Sequence, residues 1–327
     1  MSVSACILSP AGPSLRPEET AFLKDMAPWG MILMGRSCET PDQVRRLVEE
    51  IHNALEREAL IFIDQEGGRV ARLKPPHWPK FPAAAVYGDL YSQDPQTGLD
   101  AARLGHRLIA QELTSIGIHA DFSPVCDVRI QETHDSIGDR AFAYSADAVT
   151  ELARAALQGL ADGGVIGCLK HMPGQGRAEA DSHYGLPNIA ASEADLAADF
   201  GVFAALASEA TMGLTAHVTY SSFADEDAVT VSANMIANII RDRIGFDGLL
   251  ITDDLGMDAL GGTLGERSVR ARQAGCDLLL HCSGFLSDPA EILAEMQEVA
   301  TAADELVAES AERADRALNA LKAPDGF

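Results

Sequence analysis

Eight times along this chain a short apolar run is followed by a longer stretch whose apolar residues recur at helical spacing. That alternation restricts the possible folds more than any other feature of the sequence. The short runs are Ser4–Leu8, Gly30–Met34, Leu60–Asp64, Ile118–Phe122, Val165–Leu169, Met212–Ala216, Gly248–Thr252 and Asp277–His281. Between them, helices are expected at Pro17–Met26, from Thr40 to Glu58, at Gly98–Gly117, Ser145–Asp162, Val231–Ile244 and Leu264–Ala274, with a long Ala- and Glu-rich helix over Pro289–Leu321. Start signals support several of these. Pro17 and Pro41 stand at first-turn positions where a missing N–H costs nothing, and Thr40-Pro41-Asp42-Gln43 and Ser192-Glu193-Ala194-Asp195 read as helix caps. Pro75, Pro76, Pro79 and Pro82 mark a loop too broken for a helix interior.

Strands that alternate with helices imply a parallel sheet joined by crossovers. Eight such units in 327 residues suit an α/β fold of the (β/α)8 TIM-barrel kind better than an open doubly wound sheet. A dinucleotide fold would place a Gly-rich phosphate loop after the first strand, and Ser9-Pro10-Ala11-Gly12-Pro13 is no GxGxxG. With no internal repeat and no low-complexity linker, one catalytic domain spanning residues 1–327 is expected.

Charge and composition narrow the partners. A formal net charge of −24 argues against the phosphate backbone of a nucleic acid, which calls for clustered Lys and Arg. No apolar run approaches the length of a membrane span, and residues 1–15 lack the basic start and apolar stretch of a secretory leader. A cytoplasmic protein without a membrane partner is expected. The six cysteines are scattered without a CxxC, so they read as reduced thiols.

Ionisable residues stand where the strand candidates end: Asp64, Lys170 and His171, His217, and Asp253. In a barrel those ends form the active-site face. Asp253 follows the apolar Leu249-Leu250-Ile251, and a carboxylate held there suits a nucleophile or an electrostatic stabiliser. Asp254 is its rival, and alternation along an extended chain predicts that only one of the two faces the centre. Asp181 and His183 lie two apart on a loop broken by Pro173, Gly174 and Gly176, close enough for the carboxylate to orient the imidazole as a general acid/base. The glycines predict a loop able to swing, leaving His183 far from Asp253 without a ligand. No HxH, HExxH or cysteine pair supplies metal spacing, so neither a catalytic metal nor another cofactor is expected.

Taken together, Ile63-Asp64-Gln65-Glu66-Gly67-Gly68-Arg69-Val70, Ile137-Gly138-Asp139-Arg140, Lys170-His171-Met172-Pro173-Gly174, Asp181-Ser182-His183 and Thr252-Asp253-Asp254-Leu255 resemble the β-N-acetylhexosaminidases of glycoside hydrolase family 3, the NagZ type. The resemblance implies retaining hydrolysis of terminal β-linked N-acetylglucosamine, with Asp253 as nucleophile and His183 as acid/base oriented by Asp181. It also implies that Asp64, Arg72, Arg140, Lys170 and His171 hold the sugar. The family commonly has His where this chain has Gln175, which can brace the loop but cannot titrate. Single-domain members imply a substrate from cell-wall recycling, an anhydro-muropeptide, as the small carbohydrate partner. A phosphorylase, a β-glucosidase, a Schiff-base aldolase built on Lys170 and a non-catalytic sugar-binding barrel are the competing readings. The natural leaving group and the oligomeric state stay open.

Overall fold

The computed structural model describes residues 3–223, 225–306 and 308–324. Its main strands pair in parallel within two sheets. Six strands run in the order Leu279–His281, Ser4–Leu8, Pro28–Leu33, Leu60–Ile63, Ala120–Asp121 and Ile166–Gly167. Three more run in the order Leu249–Ile251, Met212–Thr215 and Leu169–Met172. The α/β class with parallel sheets is as expected, but a single closed ladder of eight strands is not formed. The sheets meet through the isolated parallel bridges Val125↔Lys170 and Ile251↔Leu278. Pro124 has no N–H to donate, which limits pairing beside the fifth run. There Cys168 N–H goes to the Ser123 carbonyl (2.8 Å) and Lys170 N–H to the Pro124 carbonyl (3.3 Å), as separate bonds rather than a continuous ladder.

Both faces of these strands are buried, which is why the runs are apolar throughout rather than alternately. Successive side chains still point to opposite faces. Ile7, Leu60, Phe62, Ile166, Met212, Leu214, Leu249, Ile251 and Leu280, drawn from both sheets, share one apolar interior. Leu8, Ile61, Ile63, Leu250 and Leu279 instead join the apolar layer built with the helices. Phe62 fills much of the interior, its ring centroid 5.0 Å from Phe122 and 6.0 Å from Trp29.

Helices occupy the expected segments, with ends at Pro17–Met26, Pro41–Leu55, Pro95–Thr114, Ala146–Asp162, Glu193–Leu206 and Leu264–Ala274. Ser192 and Asp195 cap each other's backbone N–H groups, as their spacing implies. A helix at Ala84–Gln93 has no side-chain cap to announce it. Met235–Arg243 is wound as a π-helix. The long helix expected over Pro289–Leu321 is instead two, Pro289–Ala303 and Ala308–Asn319, and Val307 between them lies outside the described residues. The interruption gives the first strand a neighbour: Ala5 N–H donates to the Asp304 carbonyl (2.9 Å) and Leu306 N–H to the Val3 carbonyl (3.1 Å). No helix among the described residues is long and apolar enough to cross a membrane.

Candidate active site

The polar residues that follow the strands surround one cavity of about 350 Å³. Asp64, Arg72, Arg140, Lys170, His171, Asp181, His183 and Asp253 all line it, so of the ionisable residues singled out in the sequence the structure brings all but His217 to one place. Met34, Arg69, Gln175, Asp254, Met257 and Phe285 are also part of the wall.

One wall is an ion network. Lys170, 2% exposed, places Nζ 3.2 Å from Asp64 Oδ1 and 2.6 Å from Glu66 Oε1. Arg72 donates to the other Asp64 oxygen at 2.9 Å, and Arg140 grips Glu66 with two bonds of 2.8 Å. Burial works against each charge here, and the partners override it. Lys170 and Arg72 hold the Asp64 carboxyl below its ordinary pKa, and Arg140 and Lys170 hold Glu66 well below its own. In turn, Glu66 and Asp64 lift the Lys170 pKa above the ordinary lysine value. Such a lysine stays an ammonium, a hydrogen-bond donor rather than the neutral amine that a Schiff base needs. Beside this network the fully buried Asp121 accepts the Gln65 N–H at 2.9 Å, and burial pushes its pKa up to about 7.

His171 is oriented from the opposite side. Its Nδ1 lies 2.7 Å from Asp127 Oδ2, and the other Asp127 oxygen accepts the Gln175 N–H at 2.6 Å. Gln175 therefore braces the loop through its backbone, while its buried side-chain Oε1 has no hydrogen-bond partner.

Asp253 and Asp254 both border the cavity, against the expectation that alternation would turn one away. The strand ends at Ile251, so its two-residue period no longer governs them. Their surroundings differ sharply. Asp254 Oδ1 accepts the N–H groups of Gly256 and Cys282, each at 3.0 Å, and faces His281 Nδ1 at 3.4 Å. Burial opposes its charge, but the His281 contact and those N–H groups lower its pKa. Asp253 Oδ1 accepts the Asp254 N–H at 2.8 Å, and its Oδ2 accepts nothing from a described residue. Of the two carboxylates, Asp253 keeps an oxygen available for chemistry. His217, two residues past the strand Met212–Thr215, does not line the cavity: fully buried, it is bonded to Thr230 Oγ1 (2.7 Å) and the Asp254 carbonyl (3.1 Å).

The loop after Met172 brings in the last pair. Asp181 Oδ1 lies 2.6 Å from His183 Nδ1 and also accepts the His183 N–H at 3.0 Å. Burial raises the Asp181 pKa, but these two bonds outweigh it and the net direction is down. In this structure the loop places His183 on the wall of the same cavity that Asp253 borders. Gly174 and Gly176 are close-packed positions in the loop stem. Gly174 sits at φ +135°, and a Cβ on Gly176 would stand 1.9 Å from the Val128 carbonyl oxygen. Nearby ties hold this stem: Tyr220 Oη donates to the Gly174 carbonyl, Thr133 Oγ1 to Gly176 (2.7 Å), and Arg177 pairs with Asp199 (2.7 Å).

Sequence reasoning missed Glu66, Asp127 and the His281–Glu295 pair. Glu66 had a usable signal, because it lies two residues beyond Asp64 on an extended segment and so can share its face. Asp127 had none, since only folding brings it to His171, 44 residues away. Among the described residues, no group of three or more His, Cys, Asp and Glu is arranged to hold a metal ion. What the site can do chemically is hold a polyhydroxylated ligand on fixed charges, between an available carboxylate and a carboxylate-oriented imidazole.

Comparison with known proteins gives a consistent result. Residues 6–319 match the family described as the glycosyl hydrolase family 3 N-terminal domain. The chain is similar to a protein of Bordetella pertussis named beta-hexosaminidase, 35% identical over 321 residues that cover 96% of this chain and 88% of the relative. Among solved structures it resembles NagZ from Neisseria gonorrhoeae in complex with N-trifluoroacetyl-D-glucosamine (TM-score 0.81, 31% identity, 98% of this chain and 97% of that one). It also resembles a family 3 beta-N-acetylglucosaminidase from a Paenibacillus species (TM-score 0.82, 27% identity), of which it covers 60%, against 97% of this chain.

Proposed function

This chain belongs to glycosyl hydrolase family 3, and from that premise we propose that this glycoside hydrolase is an exo-β-N-acetylglucosaminidase acting by double displacement. Asp253 attacks the anomeric carbon of a terminal β-linked N-acetylglucosamine. His183, oriented by Asp181, protonates the leaving oxygen and then deprotonates the water that releases the sugar. Retention follows from the two successive displacements. Asp64, Arg72, Arg140, Lys170 and His171 hold the sugar hydroxyls and the acetamido group. The observation that carries this reading is that Asp253, with a free carboxylate oxygen, and the Asp181–His183 pair line one cavity.

We read the two parallel sheets as one (β/α)8 barrel forming a single catalytic domain. The shared apolar interior supports this, because it takes alternate residues from both sheets, and the bridges between them fit it. The leaving group proposed from the family resemblance is a muropeptide, and we place the protein in the cytoplasm, where its free cysteines stay reduced. No cofactor takes part in this mechanism.

The test is turnover of a chromogenic aryl β-N-acetylglucosaminide beside the matching glucoside, for wild type and Asp253→Ala, with and without phosphate. Release from the acetamido sugar alone, lost in the variant and independent of phosphate, is the expected result. Activity that survives Asp253→Ala removes the nucleophile assignment, and a sugar phosphate product replaces hydrolysis by phosphorolysis.

A further inference from the structure

We propose that Asp121, behind the sugar cavity, is a neutral buried acid that positions the sugar-holding wall, so that sugar binding is linked to its proton. The proposal rests on the sugar-binding reading above. Asp121 does not line the cavity. It is fully buried at the end of the strand Ala120–Asp121, where its Oδ1 accepts the Gln65 N–H at 2.9 Å. Gln65 stands between Asp64 and Glu66, the two carboxylates that hold Lys170. The Gln65 side chain reaches on to the next segment. Its Oε1 accepts the N–H groups of Arg72 (2.9 Å) and Leu73 (3.0 Å), and its Nε2 donates to the Leu73 carbonyl (3.1 Å). One carboxyl oxygen thus fixes the backbone that presents Asp64 and Glu66 and, through Gln65, the backbone that presents Arg72. Asp121 acts through these groups and is a positioning residue.

The second oxygen shows which form of the acid does this. Oδ2 is buried and has no hydrogen-bond partner. One N–H bond and an orphaned oxygen are a poor setting for a full negative charge, which inside a protein needs a paired cation or several donors. The charges that face Asp121 do not supply one. Lys170 is an ammonium, but it is shared between Asp64 and Glu66, so the three sum to a net negative charge. The Cys168 thiol, another titratable neighbour, is kept neutral by burial. Burial, helped by Asp64 and Glu66, pushes the Asp121 pKa up to about 7 against the Gln65 bond and the pull of Lys170.

Ligand binding acts on the same balance. Asp64, Lys170 and Arg72 line the sugar cavity, and a sugar seated there displaces water that screens them. The field of the network at Asp121 then strengthens, and its net sign is negative, so Asp121 holds its proton more tightly when the sugar is bound. By linkage the sugar binds more tightly to the protonated form. That gain is complete below the pKa of the free protein and is lost as pH rises toward the higher pKa of the complex.

The test is calorimetric binding of N-acetylglucosamine to wild type, Asp121→Asn and Asp121→Ala across neutral pH. Asparagine keeps a carbonyl for the Gln65 N–H but cannot titrate. Whatever His171 and His183 contribute is common to all three proteins, so the difference between the wild-type and Asp121→Asn curves belongs to Asp121. From about pH 6 to about pH 9 the wild-type affinity is expected to fall roughly threefold to tenfold further than that of Asp121→Asn. Asp121→Ala loses the acceptor as well and is expected to bind more weakly than Asp121→Asn at every pH. Where a variant does not fold, carbon-13 NMR of wild type labelled at the aspartate carboxyls reads the same linkage. A carboxyl with its midpoint at about pH 7 should move upward when N-acetylglucosamine is saturating. Parallel curves for wild type and Asp121→Asn, equal binding by the two variants, or a midpoint that the sugar does not move would overturn the proposal while the glycosidase reading stands. N-acetylglucosamine that binds none of the proteins at any pH overturns the sugar site, and this inference with it.

Discussion

Replacing His281 by Gln probes a charge buried behind the strand ends. His281 has no exposed side-chain surface, and its Nε2 lies 2.9 Å from Glu295 while its Nδ1 lies 3.4 Å from Asp254. Burial alone would lower the imidazole pKa, but the two carboxylates raise it from 6.5 to about 9. A group that binds its proton more tightly in the folded than in the unfolded chain adds stability that is complete below the unfolded pKa. That stability is lost as pH rises through the folded one. The window is therefore between about pH 6.5 and about pH 9. At about 1.4 kcal/mol per pH unit, the displacement is worth on the order of 3 kcal/mol at the acidic end. Glu295 keeps some exposure, and solvent screens its share, so this is an upper bound. Denaturant unfolding of wild type and His281→Gln, from about pH 6 to about pH 9.5, reads the effect directly. The stability gap between them should be widest at the acidic end and shrink toward whatever the lost packing and hydrogen bonds cost. A gap independent of pH, or one that widens as pH rises, would refute a protonated His281 in the folded protein.

Lys170→Met leaves Asp64 with Arg72 and Glu66 with Arg140, so the buried Glu66 and the part-buried Asp64 each lose one of two cations. The expected cost is about 3 kcal/mol by chemical denaturation, and an unchanged midpoint would show that the arginines suffice. Phe62→Ala empties the interior between Phe122 and Trp29 and should cost about 3 to 5 kcal/mol, with a loss below about 1 kcal/mol meaning that its neighbours collapse into the space. Asp181→Asn removes the carboxylate bound to His183 Nδ1, and kcat on an aryl β-N-acetylglucosaminide should fall by roughly tenfold to a hundredfold with little change in KM. A variant that loses KM instead would put Asp181 on the sugar.

The layering was legible in the sequence because burial on both faces leaves a strand no polar position, and a run such as Leu249-Leu250-Ile251 records that by itself. Chain order also placed Asp64 and Asp253 just after strands, and Asp181 with His183 on one loop, since those relations span only a few residues, whereas Lys170, expected after the fifth run, lies inside the strand Leu169–Met172. Other features needed the closed-up chain. The ammonium of Lys170 meets Asp64 across 106 residues, and His171 finds Asp127 across 44. Asp253 and Asp254 are adjacent and chemically identical in the sequence. They differ because Asp254 receives the Cys282 N–H and the His281 imidazole from another strand, while Asp253 Oδ2 is left free. A local pattern sets which side of a strand a residue takes. Which charges it meets, and so which carboxylate is left to react, is set by contacts between segments that only packing brings together.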